Sequence, residues 1–93
     1  MSGNAPEIAL PQLRNARVAI ISSSWHLDIC NDLVAGAERA LAAASIKDVE
    51  VIYVPGSFEI PLASQIAFEK GFDAVVAVGL VLEGQTPHFD YVC

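Results

Sequence analysis

The hydrophobic positions of this chain fall into short continuous runs that alternate with segments of helical spacing. Residues 17–23 form the first run, and their β-branched side chains are typical of a strand buried on both faces. Residues 49–54 form a second such run, closed by a Pro-Gly pair. Residues 73–82 form the longest run, which predicts a third buried strand of a parallel sheet.

The segments between these runs carry apolar residues three and four positions apart, which predicts helices over residues 27–44 and near 61–70. The residues expected to face the sheet from the first helix are Ile29, Leu33, Ala37, Ala40, Leu41 and Ala44. Those expected to face inward from the second helix are Leu62, Ala63, Ile66 and Ala67. Gly71 suits the C-terminal cap of this second helix.

A third helix is predicted near the end of the sequence. Thr86 suits its N-cap and Pro87 its first position, which makes His88 the second helical residue. The resulting alternation of strands and helices predicts a parallel sheet with right-handed crossovers, an α/β fold. Ligands of such sheets bind beyond the carboxyl ends of the strands. Three loops are expected there, at residues 22–26, 55–59 and 83–88.

Composition and charge narrow the class of protein. The chain has 93 residues, enough for one small domain, and its 5 basic against 11 acidic residues argue against a nucleic-acid partner. The residues are 54% hydrophobic and only 17% charged, which argues against disorder and suggests a partner subunit. No apolar run is long enough for a membrane span, and no signal peptide is recognised, so a cytoplasmic location is expected.

The three loops carry the aromatic and polar residues that are candidates for a binding site. Trp25 follows the first strand, where an indole can stack on a planar ring or simply plug a gap between elements. Ser57, Phe58 and Glu59 open the second helix, where acceptors and free N–H groups suit a polyol, although capping also explains Ser57. His88 is either a proton shuttle or a solvent-exposed histidine.

Several other functions lack support in the sequence. His88 and Asp90 offer two possible metal ligands, but no third is evident, so no metal site is predicted. The glycine patterns of dinucleotide-binding and P-loop proteins are absent. Cys30 and Cys93 are too few and too far apart to predict a disulfide framework.

With these loops identified, the sequence closely resembles the lumazine synthase family. The segments that carry the resemblance are Ser23-Ser24-Trp25-His26, Val54-Pro55-Gly56-Ser57-Phe58-Glu59-Ile60-Pro61 and Gly84-Gln85-Thr86-Pro87-His88-Phe89-Asp90-Tyr91-Val92. The resemblance runs from about residue 15 to residue 93 and implies a three-layer α/β/α sandwich with a parallel, flavodoxin-like sheet. Residues 1–14 are then expected to form an N-terminal arm. Because the family continues past the position of Cys93, the sheet is expected to be incomplete in this chain.

The resemblance implies a reaction in riboflavin biosynthesis, without cofactor or metal. It joins 5-amino-6-(D-ribitylamino)uracil to 3,4-dihydroxy-2-butanone 4-phosphate, giving 6,7-dimethyl-8-ribityllumazine, water and phosphate. His88 is the implied catalytic acid and base. The implied substrate-binding residues are Trp25 on the pyrimidine, Ser57, Phe58 and Glu59 on the pyrimidine substrate and its ribityl chain, Leu80, Val81 and Leu82 in the ring pocket, and Gln85 and Thr86 on the butanone phosphate.

Further expectations follow from the resemblance. Glu83 stands where the family usually carries a basic residue, and residues 71–93 contain no lysine or arginine. Either Glu83 points away from the phosphate, or its charge weakens binding of the butanone phosphate. The alternative function is therefore a non-catalytic module that binds a ribityl or flavin-like ligand or supports assembly. The family also implies a homo-oligomer, either a pentamer or an icosahedral shell of pentamers.

Overall fold

The computed structural model describes residues 15–93, and the arm predicted for residues 1–14 lies outside this range. The elements follow one another as β1 (Arg17–Ser23), α1 (Leu27–Ala43), β2 (Asp48–Val54), a 3-10 turn (Ser57–Glu59), α2 (Ile60–Glu69), β3 (Ala74–Val78) and α3 (His88–Val92). The three strands form one parallel sheet in the order β2-β1-β3. The predicted α/β fold is therefore confirmed.

β1 is the central strand and sets the register of the other two. It pairs with β2 from Arg17↔Asp48 to Ser23↔Val54, and with β3 from Val18↔Ala74 to Ser22↔Val78. All three strands therefore end at the same edge of the sheet. The loops that follow them start side by side, as expected for a ligand site of a parallel sheet.

The alternation of side chains along β1 supports a hydrophobic cluster on each face of the sheet. One cluster joins Ala19, Ile21, Val54, Ala67 and Phe72, and it lies beneath α2. The other joins Ile20, Cys30, Val34 and Val78, and it lies beneath α1. Helices thus cover both faces of β1, which is the arrangement of a three-layer α/β/α fold.

The buried face of α1 differs from the predicted one in the first turns of the helix, although Ala37 and Leu41 pack against the cluster as predicted. Cys30 and Val34 are buried in the cluster, whereas Ile29 and Leu33 are 44% and 49% exposed. These two rows of apolar residues lie next to each other on the helix, about 100° apart. Because both rows are apolar, their spacing alone does not decide which of them faces the sheet.

The buried face of α2 is narrower than predicted. Ala67 is buried and Ala63 packs partly against the same cluster, but Leu62 is 62% exposed and Ile66 is also exposed. Small residues on the sheet-facing row let the helix backbone approach the strands closely, which leaves the larger aliphatic residues beside the contact. The prediction was therefore right for the two alanines and wrong for Leu62 and Ile66.

β3 is shorter and less buried than predicted. It ends at Val78 rather than near residue 82, and within the strand only Val78 is buried. β3 lies at an edge of the described sheet, so one side of its backbone has no neighbouring strand there. Residues 79–82 leave the sheet and form part of the site described below.

The third helix begins later than predicted. It starts at His88, and Pro87 rather than Thr86 occupies the cap position, with no side-chain hydrogen bond to the cap. Thr86 is therefore not the N-cap, and His88 is the first residue of α3 instead of the second. Within residues 15–93, none of these helices has both the length and the hydropathy required to cross a bilayer.

The amino ends of the strands, opposite the loops, are held together by Arg17 at the start of β1. Its Nε lies 3.2 Å from Asp48 Oδ2, and its guanidinium lies 4.6 Å from the ring centroid of Phe72. Its backbone N–H donates to Asp73 Oδ2 at 2.8 Å, while the Asp73 N–H donates to the Arg17 carbonyl at 2.7 Å. These contacts join the starts of all three strands at the edge away from the loops.

Candidate functional site

A cleft of about 340 Å³ lies at the carboxyl edge of the sheet. Its walls come from all three loops and from α3: Trp25, Pro55, Gly56, Ser57, Phe58, Glu59, Leu80, Val81, Leu82, Gly84, Thr86, His88 and Val92. Every residue that the sequence nominated for the site lines this cleft, with the exception of Gln85, which is exposed on the neighbouring turn. Topology therefore brings together side chains that are far apart in sequence.

Pro55, Gly56, Gly84 and Val92 also line the cleft, although they were not nominated for it. The first three belong to the same loops as the nominated residues, so loop membership alone would have included them. Val92 lies four residues after His88, one turn further along α3. That i, i+4 spacing was the available signal for Val92.

The loop after β1 presents the Trp25 indole, which is 60% exposed and so does not act as a buried plug. The backbone N–H of Trp25 donates to Ser23 Oγ at 3.1 Å, and the buried Cys30 thiol donates to the Trp25 backbone carbonyl at 3.2 Å. Next to it, the N–H and the hydroxyl of Ser24 both donate to the Val54 carbonyl at 2.8 Å. The backbone that carries the indole is therefore fixed on both sides.

The turn after β2 brings a carboxylate and an indole over Gly56. A Cβ on Gly56 would lie 3.3 Å from Glu59 Oε2 and 3.9 Å from Trp25 Cδ1. Phe58 is largely exposed at the same mouth of the cleft. A carboxylate accepts hydrogen bonds from hydroxyl groups, and an exposed aromatic face stacks on planar rings, so this mouth suits a ring that carries a polyol.

Ser57 connects this turn to the segment after β3. Its Oγ accepts a hydrogen bond from the Leu80 N–H and donates one to the Leu80 carbonyl, each at 3.1 Å. Leu80 and Val81 are half-buried and form an aliphatic wall with Leu82. Apolar walls with a few placed polar groups are characteristic of sites for small heteroaromatic ligands.

His88 brings an imidazole to the cleft from the first residue of α3. Glu59 and His88 are the titratable side chains of the lining, which includes neither lysine nor arginine. Glu83 and Asp90 add two exposed carboxylates close by in the chain. The described lining is therefore suited to an uncharged ring and polyol, and it offers a phosphate group no cationic side chain.

Comparison with known proteins identifies a family and several relatives that this chain resembles. The family model described as 6,7-dimethyl-8-ribityllumazine synthase matches residues 15–93. A protein of that name from Streptomyces coelicolor is 47% identical over 94 residues, covering 100% of this chain and 58% of the relative. One from Arthrobacter sp. is 50% identical over 99 residues, covering 100% and 61%, and one from Leifsonia xyli subsp. xyli is 54% identical over 76 residues, covering 82% and 48%.

The matched stretch includes every residue that lines the cleft. The chain spans 58% of the length of the Streptomyces relative and 61% of that of the Arthrobacter relative.

Proposed function

The chain belongs to the 6,7-dimethyl-8-ribityllumazine synthase family, and we propose that it acts in riboflavin biosynthesis. The proposed reaction condenses 5-amino-6-(D-ribitylamino)uracil with 3,4-dihydroxy-2-butanone 4-phosphate to give 6,7-dimethyl-8-ribityllumazine, water and phosphate. The observation that carries the proposal is the convergence of an exposed indole, a carboxylate and an imidazole around one aliphatic-walled cleft.

The pyrimidine substrate is proposed to occupy the mouth of the cleft. Its ring would stack on Trp25 and pack against Leu80, Val81 and Leu82. The turn of Ser57, Phe58 and Glu59 would hold the pyrimidine and the ribityl chain, with the Glu59 carboxylate accepting from hydroxyl groups. The close approach of Glu59 Oε2 and the Trp25 ring to Gly56 supports this placement, because ring and polyol are adjacent parts of the substrate.

The chemistry requires an amine to attack a carbonyl, followed by loss of phosphate and closure of the second ring. Holding both substrates in reacting geometry contributes about 7–11 kcal/mol to such a step. The reaction also moves protons, and His88 is the proposed carrier because it places an imidazole, a side chain able to accept and donate a proton, in the cleft. Proton transfer of this kind contributes roughly 10²–10⁴-fold.

The butanone phosphate is proposed to bind at the turn that precedes α3, in contact with Gln85 and Thr86. Thr86 lines the cleft there, and the carboxylate of Glu83 lies three residues earlier in the chain. A carboxylate beside a phosphate opposes its binding by charge repulsion. Glu83 is therefore proposed to weaken the affinity for this substrate.

One observation favours a second function, in which the chain binds a ribityl or flavin-like ligand or supports assembly without turnover. The described lining contains neither lysine nor arginine to neutralise a phosphate group. One experiment distinguishes the two functions: the protein is mixed with both substrates, and the fluorescence of the lumazine product is followed. Product formation supports the synthase, whereas binding of 6,7-dimethyl-8-ribityllumazine without turnover supports the module.

The protein is also proposed to form a homo-oligomer, either a pentamer or a shell of pentamers. Large apolar side chains are exposed on α1 and α2 within residues 15–93, among them Leu33, Leu62 and Phe68. Apolar surface of this kind is usually covered by a partner.

A further inference from the structure

We propose that Ser57 is a positioning residue. Its hydroxyl joins the 3-10 turn to the Leu80 backbone through two hydrogen bonds, called the clasp below, and the clasp fixes the spacing between two walls of the cleft. The inference rests on the proposed function and assigns the Ser57 side chain a role distinct from contact with the ligand. In this role the hydroxyl binds protein backbone, and the substrate meets the residues that the clasp places.

The hydrogen-bond inventory of a hydroxyl supports this assignment. A serine side chain has one proton to donate and two lone pairs. Ser57 donates its proton to the Leu80 carbonyl and uses a lone pair to accept from the Leu80 N–H. No proton is then left for donation to a hydroxyl or carbonyl of a ligand, and one lone pair remains, so any hydrogen bond donated to the polyol comes from other groups of the turn.

The neighbouring residue of Leu80 shows how tightly the clasp is built. A Cβ on Gly79 would lie 2.6 Å from Ser57 Oγ, 3.3 Å from Ser57 Cβ and 3.2 Å from Ile60 Cδ1. Real Cβ atoms essentially never approach another heavy atom as closely as the first of these distances. Glycine at position 79 is therefore what allows the Ser57 hydroxyl to reach the Leu80 backbone.

The clasp lies between the parts of the chain that line the cleft. On one side Ser57 is followed by Phe58 and Glu59, and on the other Leu80 is followed by Val81 and Leu82. β3 has already ended at Val78, so strand pairing no longer fixes Leu80. From Leu80 onward, the hydrogen bonds of the Ser57 hydroxyl hold the aliphatic wall against the turn that carries the Glu59 carboxylate.

The first test is amide hydrogen exchange at Leu80, which does not depend on any ligand. Ser57→Ala and Gly79→Ala should each make the Leu80 amide exchange about tenfold faster, because its hydrogen-bond acceptor is removed or displaced. Ser64→Ala is the matched control, since it deletes another serine hydroxyl bond, from Ser64 to the Ile60 carbonyl at 2.8 Å. Unchanged exchange at Leu80 in Ser57→Ala would overturn the clasp.

The second test separates positioning from direct contact with the ligand. Binding is measured by fluorescence for 6,7-dimethyl-8-ribityllumazine and for an analogue with a methyl group in place of the ribityl chain. The clasp predicts that Ser57→Ala raises the Kd of both ligands by the same factor, about three- to tenfold. A loss confined to the ribityl ligand would mean that Ser57 binds the polyol directly, and would overturn the proposal.

The double variant completes the design. Gly79→Ala should weaken ligand binding strongly when Ser57 is present. In the Ser57→Ala background it should weaken binding much less, because Ser57 Oγ, the oxygen that clashes, is gone. Additive effects of the two substitutions on the free energy of binding would contradict the clasp. If the unmodified protein binds neither ligand and forms no product, the proposed function fails. Exchange at Leu80 would still decide whether the clasp exists.

Discussion

At the scale of single residues, the site depends on side chains whose partners are main-chain groups distant in sequence. Ser24 binds the Val54 carbonyl and Ser57 binds Leu80, across 30 and 23 residues respectively. The sequence identified Trp25, Ser57 and Glu59 as site residues because they follow strand ends. It did not identify the Cys30 thiol as the donor to the Trp25 carbonyl, because that bond depends on which face of α1 meets the sheet.

His88→Ala is expected to slow product formation without abolishing it. The variant loses proton transfer, roughly 10²–10⁴-fold in kcat, but keeps the walls that hold the substrates together. Steady-state fluorescence of the product measures the effect, and KM for the pyrimidine substrate should change little. A folded variant with no residual activity at all would contradict the assignment of His88 as a proton carrier only.

Glu83→Arg is expected to lower KM for the butanone phosphate by about tenfold, since it replaces a repelling charge by an attracting one. Glu83→Gln is the matched control, because it removes the repulsion without adding a cation and should give a smaller improvement. Both effects should shrink as salt is added, since exposed charges are screened. An unchanged KM in both variants would remove Glu83 from the phosphate site.

At the scale of elements, runs of β-branched residues were enough to place β1 and β2, but the faces of the helices were not predictable from spacing. α1 carries two adjacent apolar rows, and packing against β1 selects the one with Cys30 and Val34. The position at which β3 ends was equally unpredictable from the sequence, because residues 79–82 are as apolar as the strand itself. Their departure from the sheet coincides with the bond between Ser57 and Leu80, which only the fold creates.

The end of α2 offers a stability prediction with a control of opposite sign. Gly71 has φ 94°, and a Cβ there would lie 3.3 Å from Arg17 Nη1, so Gly71→Ala should destabilise the protein by about 1–2 kcal/mol. Gly36 lies inside α1, where a Cβ meets only Arg39 Nη2 at 3.6 Å. Gly36→Ala should therefore stabilise by about 0.5–1 kcal/mol.

Urea unfolding followed by circular dichroism measures both free energies of unfolding. A Gly71→Ala variant that is as stable as the unmodified protein would show that the left-handed backbone at Gly71 is not the determining factor.

At the scale of the whole molecule, the two edges of the sheet have separate tasks. Arg17 and its partners join the strand starts at one edge, while the cleft occupies the other. The alternation of strands and helices was sufficient to predict the edge that carries the cleft, because parallel strands must end together, but it did not predict the contacts of Arg17. The apolar composition indicated a partner surface, but the positions of the exposed residues on α1 and α2 were not predicted, since a pattern within one chain does not distinguish core from interface.

The proposed oligomer predicts different outcomes for two adjacent residues of α1. Leu33 is 49% exposed, so Leu33→Glu should leave the monomer folded and shift its sedimentation coefficient toward that of a single chain. Val34 is 4% exposed, so Val34→Glu should lose the fold itself, because a buried carboxylate is unpaired there. If Leu33→Glu sediments like the unmodified protein, this face of α1 does not lie in the interface.

The central position of β1 also has a consequence for the time course of synthesis. β1 leaves the ribosome first among the strands, yet Val18 pairs with Val49 on one side and with Ala74 on the other. Since chains grow at about 5–20 residues per second, β1 must wait several seconds for each neighbour. The most buried strand of the described chain is thus the one that stays uncovered longest, and a nascent chain stalled before residue 74 would expose it to aggregation or to a chaperone.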